Sequence, residues 1–112
     1  MQLLYANSIT PQETQAKLAC GDSILLLDVR EPMELAWAFI PNAIHIPMRE
    51  IPDRYQELNV YKNAEIVVFC HAGVRSYQVM RYLQTKGFSH IKNLEGGIDS
   101  WSTEVDPTVP RY

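Results

Sequence analysis

The stretch Glu65–Met80, EIVVFCHAGVRSYQVM, decides the fold. It opens on an apolar run rich in β-branched residues, which predicts a strand buried on both faces over residues 64–70. A short loop with Gly73 follows, and from Val74 to Lys86 apolar residues recur at helical spacing. The stretch therefore places the thiol of Cys70 where a strand ends and a helix begins.

The segments on either side of this stretch alternate between helix and strand patterns. They are a helix from Pro11, capped by Ser8 or Thr10 and stopped at Gly21; a buried strand at 23–29; a short helix at 31–39; a short strand at 42–47; a helical or turn-rich segment at 48–58; a strand at 89–94; and a last helix at 96–105. Strands that alternate with helices predict an α/β fold with a parallel sheet covered on both faces. Ligands in such folds bind beyond the carboxyl ends of the strands, and Cys70 lies at one such end.

The composition limits the classes of function. A chain of 112 residues suits one domain, residues 1–112, in which residues 103–112 form an extended C-terminal tail. The net charge of −3 and the lack of a basic stripe argue against nucleic-acid binding, and no apolar run reaches membrane-spanning length. Two cysteines are too few for a disulfide scaffold or a structural zinc site, so we expect a cytoplasmic protein without a bound metal.

The loop after Cys70 has the features of an anion cradle. A cysteine reacts as the thiolate, and the positive end of the helix that begins near Val74, together with the charge of Arg75, favours that form. Gly73 lets the backbone turn tightly and point its N–H groups inward. Ser76 is expected either to cap the helix or to donate a hydrogen bond to the bound anion.

Other polar residues allow two interpretations each. His71 either tunes the thiolate or points to solvent. Asp28, Arg30 and Glu31 follow the first buried strand, so they either lie beside the loop, if the two strands are neighbours, or form a surface salt bridge. Cys20, at the end of an amphipathic helix, is expected to be a packing residue, with a weaker alternative as a resolving thiol.

Three segments of the chain resemble the rhodanese family of sulfurtransferases. LLDVREPMEL (26–35) is similar to the family's Asp-Val-Arg-Glu segment, CHAGVRS (70–76) to its active-site loop, and LEGGIDSW (94–101) to its closing Gly-Gly segment. The resemblance implies a five-stranded parallel sheet flanked by helices on both faces.

The resemblance also implies a function. Cys70 would accept a sulfane sulfur from a small anionic donor such as thiosulfate and pass it, as a persulfide, to cyanide, a thiol or an acceptor protein, without a cofactor. The loop that binds the persulfide would comprise His71, Ala72, Gly73, Val74, Arg75 and Ser76, with Asp28, Arg30 and Glu31 in support. Four residues separate Cys70 from Arg75, whereas related dual-specificity phosphatases of the same fold have one residue more. Phe69 stands where cysteine phosphatases generally carry a histidine, so the loop favours sulfur over phosphate.

Three alternatives to a small-molecule sulfurtransferase stay open. The first is a carrier that moves a persulfide between proteins with little thiosulfate turnover, which an exposed apolar rim at Trp37, Phe39 and the tail would favour. The second is a phosphatase or an arsenate-type enzyme, against which the loop length argues. The third is a silent regulatory domain, which has no need of a thiol at an anion cradle.

Overall fold

The computed structural model describes residues 7–112 as one sheet with helices on both sides. The strands are β1 (Ser8–Ile9), β2 (Ile24–Asp28), β3 (Ile44–His45), β4 (Glu65–Phe69) and β5 (Ile91–Leu94). The helices are α1 (Pro11–Ala19), α2 (Pro32–Trp37), α3 (Ile51–Arg54), α4 (Val74–Thr85) and α5 (Gly97–Glu104), with 3-10 turns at Met48–Glu50 and Tyr55–Tyr61. The strand order is β1-β5-β4-β2-β3 and the paired strands are parallel. The predicted α/β class with a five-stranded parallel sheet is confirmed.

The two faces of the sheet carry separate cores. Along β4 the side chains alternate, so Ile66 and Val68 pack on one face while Val67 and Phe69 pack on the other. The first face is covered by α4 and by the turn-rich segment after β3, and the second by α5 and the segment after α2, with α1 packed against α5. The continuous apolar run of β4 is thus explained by burial on both sides.

The edges of the elements differ from the sequence expectations in two places. Residues 8 and 9 form β1, which the sequence did not reveal, and Thr10 alone caps α1, with its Oγ1 accepting from the Glu13 N–H at 3.0 Å. The tail expected from residue 103 starts later, because Thr103 and Glu104 lie in the last turn of α5. Beyond α5 the chain is fixed by the Ser102 hydroxyl, which donates to the Val109 carbonyl at 2.5 Å.

Within residues 7–112, no helix has both the length and the apolar character needed to cross a bilayer.

Candidate functional site

The site forms where β2 and β4 lie side by side. Asp28 is in register with Phe69, so the segments that follow the two strands leave the sheet at the same edge. Cys70 follows β4 directly and is only 1% exposed. The sequence placed Asp28 and Arg30 near the Cys70 loop on the condition that the two strands are neighbours. The pairing of β2 with β4 meets this condition.

Backbone N–H groups surround the sulfur of Cys70. Its Sγ accepts from the Gly73 N–H at 3.1 Å and from the Ser76 N–H at 3.4 Å. The loop can turn this tightly because Gly73, the N-cap of α4, has a φ of 110°, which a side chain would disfavour. The first turn of α4 thus presents its free N–H groups and its positive end to the thiol, the arrangement expected of an anion cradle.

The buried amide of Asn93 in β5 braces this cradle from behind. Its Nδ2 donates to the Gly73 carbonyl at 3.0 Å, and its Oδ1 lies 2.6 Å from the Ser76 Oγ. Since Oδ1 can only accept, the single hydroxyl proton of Ser76 points to Asn93, although Cys70 Sγ is also within 3.4 Å of that hydroxyl. Ser76 therefore neither caps α4 nor directs its proton to the thiol.

The start of α5 fixes the other side of the loop. The Ile98 N–H donates to the Cys70 carbonyl at 2.9 Å, and the Asp99 N–H donates to the His71 carbonyl at 3.1 Å. A Cβ at Gly97 would lie 2.4 Å from the His71 carbonyl oxygen and 2.5 Å from that of Cys70. The Gly-Gly segment found in the sequence is needed here because two stretches of backbone touch.

Arg75 is paired with a carboxylate that the sequence analysis did not single out. Its guanidinium donates to both oxygens of Glu34, at 2.7 and 3.0 Å. Hydrogen bonds from Arg75 hold the pKa of Glu34 down to about 2, and the same pairing raises the pKa of Arg75. The positive charge expected from Arg75 is therefore largely balanced by Glu34.

Arg30 is entirely buried and does not belong to a surface salt bridge. Its Nε and one terminal nitrogen bind the two oxygens of Asp28, at 2.9 and 2.7 Å. It also donates to the carbonyl of Ala38 at 2.9 Å and to the hydroxyl of Tyr112 at 3.0 Å. Two of the three supporting residues thus form a buried ion pair, which ties the end of β2 to α2 and to the tail.

Tyr112 connects the tail to the loop. Its hydroxyl donates to Glu34 at 2.7 Å, and burial raises its pKa to about 12. Its ring stacks on that of His71, with 4.2 Å between ring centroids, and packs against Trp37 at 5.3 Å. His71 is thus half-buried under an aromatic ring and does not project freely into solvent.

The remaining predicted residues lie farther from the sulfur. Ala72 and Val74 are exposed on the outer side of the loop. Glu31 pairs at the surface with Arg49, and its N–H donates to Glu34 at 2.9 Å. It therefore contacts the site only through α2.

The expectation that Cys20 is a packing residue is wrong. Cys20 is exposed and is a free thiol. It follows α1 and precedes β2, so it lies at the amino ends of the strands, whereas Cys70 lies beyond their carboxyl ends. The five residues of β2 span about 17 Å, so in this fold Cys20 is too far away to act as a resolving thiol.

Exposed apolar side chains stand on the elements that border the loop. We call Met33, Trp37, Phe39 and Val74 the apolar rim; their exposed fractions are 64%, 51%, 58% and 57%. Met33 and Trp37 are one helical turn apart on α2, so they share a face. A groove of about 360 Å³ lies next to Trp37 and Phe39 and is also lined by Val109 and Pro110 of the tail.

Three functional neighbours of the loop were missed from sequence: Glu34, Asn93 and Tyr112. Asn93 left a signal, because an amide within an apolar strand needs a hydrogen-bonding partner. Glu34 and Tyr112 left none, because their partners come from distant parts of the chain. Within residues 7–112, no cluster of three His, Cys, Asp or Glu side chains could hold a metal ion.

Comparisons with known proteins identify the family of the chain. The sequence-family model named rhodanese-like domain matches residues 10–104 of this chain. A sulfurtransferase of Allochromatium vinosum is 38% identical over 92% of this chain and 94% of its own length. A Bacillus subtilis protein named provisionally as a sulfur carrier protein is 35% identical over 88% of this chain and 52% of its own length. The crystal structure of a rhodanese-like domain protein from Staphylococcus aureus superposes with a TM-score of 0.80 at 37% identity, covering 95% of this chain and 98% of that one.

The chain is an α/β protein whose parallel sheet holds a cysteine, cradled by backbone N–H groups, at the carboxyl end of its central strand. The chain belongs to the rhodanese-like domain family. Its relatives include proteins named as a sulfurtransferase and as a sulfur carrier.

Proposed function

We propose that the protein is a sulfurtransferase in which Cys70 carries a sulfane sulfur as a persulfide. The observation that carries the proposal is the buried Cys70 Sγ, which accepts two backbone hydrogen bonds at the start of α4. A sulfur that already receives N–H donors in a fixed loop is suited to bear negative charge through a reaction cycle. The donor is thiosulfate or a persulfide, and the acceptor is cyanide or a thiol.

The transfer proceeds in two displacements that are redox-neutral overall. The Cys70 thiolate, its proton lost to solvent, attacks the outer sulfur of thiosulfate. A new S–S bond forms, the S–S bond of thiosulfate breaks, and sulfite leaves with the electron pair. An acceptor thiolate or cyanide then attacks the outer sulfur of the persulfide, and the Cys70 thiolate leaves. This is nucleophilic catalysis with one covalent intermediate, and it calls for no metal or organic cofactor.

The residues around Cys70 have different parts in this chemistry. The N–H groups of Gly73 and Ser76 stabilise the negative sulfur. Arg75, held by Glu34, fixes the first turn of α4 instead of acting as a free cation. The buried Asp28–Arg30 pair supports α2, on which Glu34 stands.

The dimensions of the loop support sulfur rather than phosphate as the group transferred. Only four residues separate Cys70 from Arg75, so the ring of N–H donors is short. A tetrahedral phosphate with three oxygens needs a wider ring of donors than a single sulfur. Phosphate-ester hydrolysis is accordingly a result that would contradict the proposal.

Intact mass after incubation with thiosulfate tests the proposal. In a Cys20→Ser background, which removes the second thiol, we expect a gain of one sulfur, about 32 Da, that cyanide then removes. Cys70→Ser is the matched control and should fold like the parent protein but gain nothing. No gain with thiosulfate and none with a glutathione persulfide donor would overturn the proposal.

The apolar rim favours a second candidate, a carrier that passes persulfide from one protein to another. Apolar side chains more than half exposed around a reactive centre are typical of protein-docking surfaces. The related sulfur carrier protein points in the same direction. Both cysteines are free thiols, which fits the reducing cytoplasm we propose for either candidate.

The two candidate functions differ in the sulfur donor from which Cys70 is loaded. A carrier loads Cys70 much faster from a cysteine-desulfurase persulfide than from thiosulfate, and Phe39→Ala on the apolar rim slows only the loading from protein. A small-molecule enzyme turns over thiosulfate and cyanide equally well with and without Phe39. Rapid thiosulfate turnover that Phe39→Ala leaves unchanged, together with protein loading that is equally unchanged, excludes the carrier.

A further inference from the structure

We infer that Tyr112 is a positioning residue that holds the Cys70 loop at both of its ends. The inference rests on the proposed function, since it concerns the rate at which Cys70 takes up sulfur. Tyr112 touches His71, the first residue after the thiol, with its ring, and reaches Arg75, near the far end of the loop, through Glu34.

The ring of Tyr112 fixes the entry to the loop. It stacks on His71 with an angle of 17° between the ring planes and a centroid distance of 4.2 Å. On a neighbouring side it packs against Trp37, and the Arg30 guanidinium lies 5.8 Å from the ring centroid. The tyrosine is therefore enclosed by three side chains, and the His71 side chain is held in one place by the stack.

The hydroxyl of Tyr112 fixes the exit from the loop, and the direction of its hydrogen bonds is determined. Arg30 can only donate, and the ionised Glu34 can only accept. The hydroxyl must therefore accept from Arg30 at 3.0 Å and donate to Glu34 at 2.7 Å. The pKa of Glu34, about 2, and that of Tyr112, about 12, keep both groups in these forms throughout the neutral range.

The consequence reaches the sulfur through Arg75. Glu34 has one oxygen shared between Tyr112 and Arg75, so the hydroxyl limits the rotation of the carboxylate that holds the guanidinium. Arg75 immediately precedes Ser76, whose N–H faces Cys70 Sγ. Without the hydroxyl, the first turn of α4 is less restrained and the N–H cradle is less pre-organised for the charged sulfur.

The test uses three variants in the Cys20→Ser background. Tyr112→Phe keeps the stack and removes the hydroxyl, whereas Tyr112→Leu removes both. Tyr82→Phe is the matched control, since Tyr82 lies more than two turns after the first residue of α4 and packs against Tyr55. Two measurements are made: the kinetics of sulfur loading of Cys70, which give the rate constant and the half-saturating thiosulfate concentration, and the amide hydrogen exchange of residues 71–76.

We expect Tyr112→Phe to slow the loading rate constant by roughly tenfold, the size of effect expected when a hydrogen bond to a charged group is lost, with a smaller change in half-saturation. Exchange in residues 71–76 should rise while exchange in β4 and β5 stays at the parent level. Tyr112→Leu should slow loading further, and Tyr82→Phe should match the parent in both measurements.

The outcomes separate this inference from the proposed function. If the parent protein takes up no sulfur but Tyr112→Phe still raises exchange only in residues 71–76, the proposed function fails and the positioning role stands. If Tyr112→Phe loads sulfur at the parent rate, the inference is overturned. It is also overturned if exchange rises uniformly over the sheet, because Tyr112 would then stabilise only the fold.

Discussion

The two terminal nitrogens of Arg75 bind the two oxygens of Glu34, so the cation of the Cys70 loop is matched by a carboxylate on α2. A bidentate pair of this kind fixes geometry as well as charge. The local attraction for a negative sulfur then comes mainly from the N–H groups of the loop. This relationship, rather than a free arginine, sets the electrostatics of the site.

Glu34→Gln should destabilise the protein in a pH-dependent way. The pKa of Glu34 falls from 4.5 to about 2 on folding, so the carboxylate stabilises the fold fully above pH 4.5 and loses this contribution as the pH falls towards 2. We expect the free energy of unfolding to drop by on the order of 2 kcal/mol at neutral pH, after allowance for solvent screening. Urea titrations of parent and variant between about pH 7 and about pH 3 measure this difference, which should shrink as the pH falls. A difference that stays constant over that range would show that Glu34 acts through packing alone.

Asn93→Leu should slow sulfur loading of Cys70 by roughly tenfold, because it removes the donor that braces the Gly73 carbonyl while keeping the branching and heavy-atom count of the side chain. Ser76→Ala is its matched partner: it leaves the brace on Gly73 intact, and the proton it removes points to Asn93. We therefore expect Ser76→Ala to load within about threefold of the parent rate, despite some loss of stability. Rapid-quench mass spectrometry of the Cys70 persulfide measures both rates. A greater loss in Ser76→Ala than in Asn93→Leu would mean that the hydroxyl serves the sulfur directly.

Gly97→Ala should be far more damaging than Gly21→Ala. Both glycines have positive φ, 61° and 77°, so the backbone strain is comparable. A Cβ at Gly97 would collide with the carbonyls of Cys70 and His71, whereas nothing lies within 4 Å of one at Gly21. We expect losses of about 1 kcal/mol for Gly21→Ala and at least about 3 kcal/mol for Gly97→Ala, measured by denaturant unfolding. Equal losses would show that the loop and α5 separate at little cost.

Cys20→Ser should leave sulfur loading and stability at parent values, since Cys20 is exposed at the opposite edge of the sheet from Cys70. The test compares the persulfide yield after thiosulfate treatment in Cys20→Ser and in the parent protein. A marked loss of yield, or a disulfide between Cys20 and Cys70 in the oxidised parent, would require the two ends of β2 to approach each other.

The sequence was informative wherever a signal was local. The apolar run of β4, the periodicity of α4 and the cap at Thr10 lie within a few neighbouring residues, and the structure contains all three. β1 escaped because two residues, Ser8 and Ile9, are too short to show a period. From the residues alone, four strands were predicted; the count of five came from the family resemblance.

The support for the loop could not be read from the sequence because it is tertiary. Tyr112 meets Glu34 and Arg30 across 78 and 82 positions of the chain, and no local pattern records such a contact. Cys20 was misjudged for a related reason: the helical pattern of α1 indicates which face is apolar, but not that the chain leaves the core at its C-cap. Cys70 itself stood out because its thiol, glycine and helix start are adjacent in sequence.

The carbonyl groups of the Cys70 loop are engaged from behind. The Ile98 N–H donates to the carbonyl of Cys70, and the Asp99 N–H donates to the carbonyl of His71. The carbonyl of Gly73 accepts from the Asn93 side chain and from the Tyr77 N–H. The loop is therefore two-sided, with acceptors turned to the body of the protein and donors turned to the sulfur. An approaching amine or metal cation meets the wrong polarity, while a thiolate, a thiosulfate ion or a persulfide meets the right one. Under the proposed function, main-chain orientation would set the selectivity between reagents of opposite charge, and substitutions on the exposed side of the loop would change which partner docks without altering the sign of the charge that the sulfur accepts.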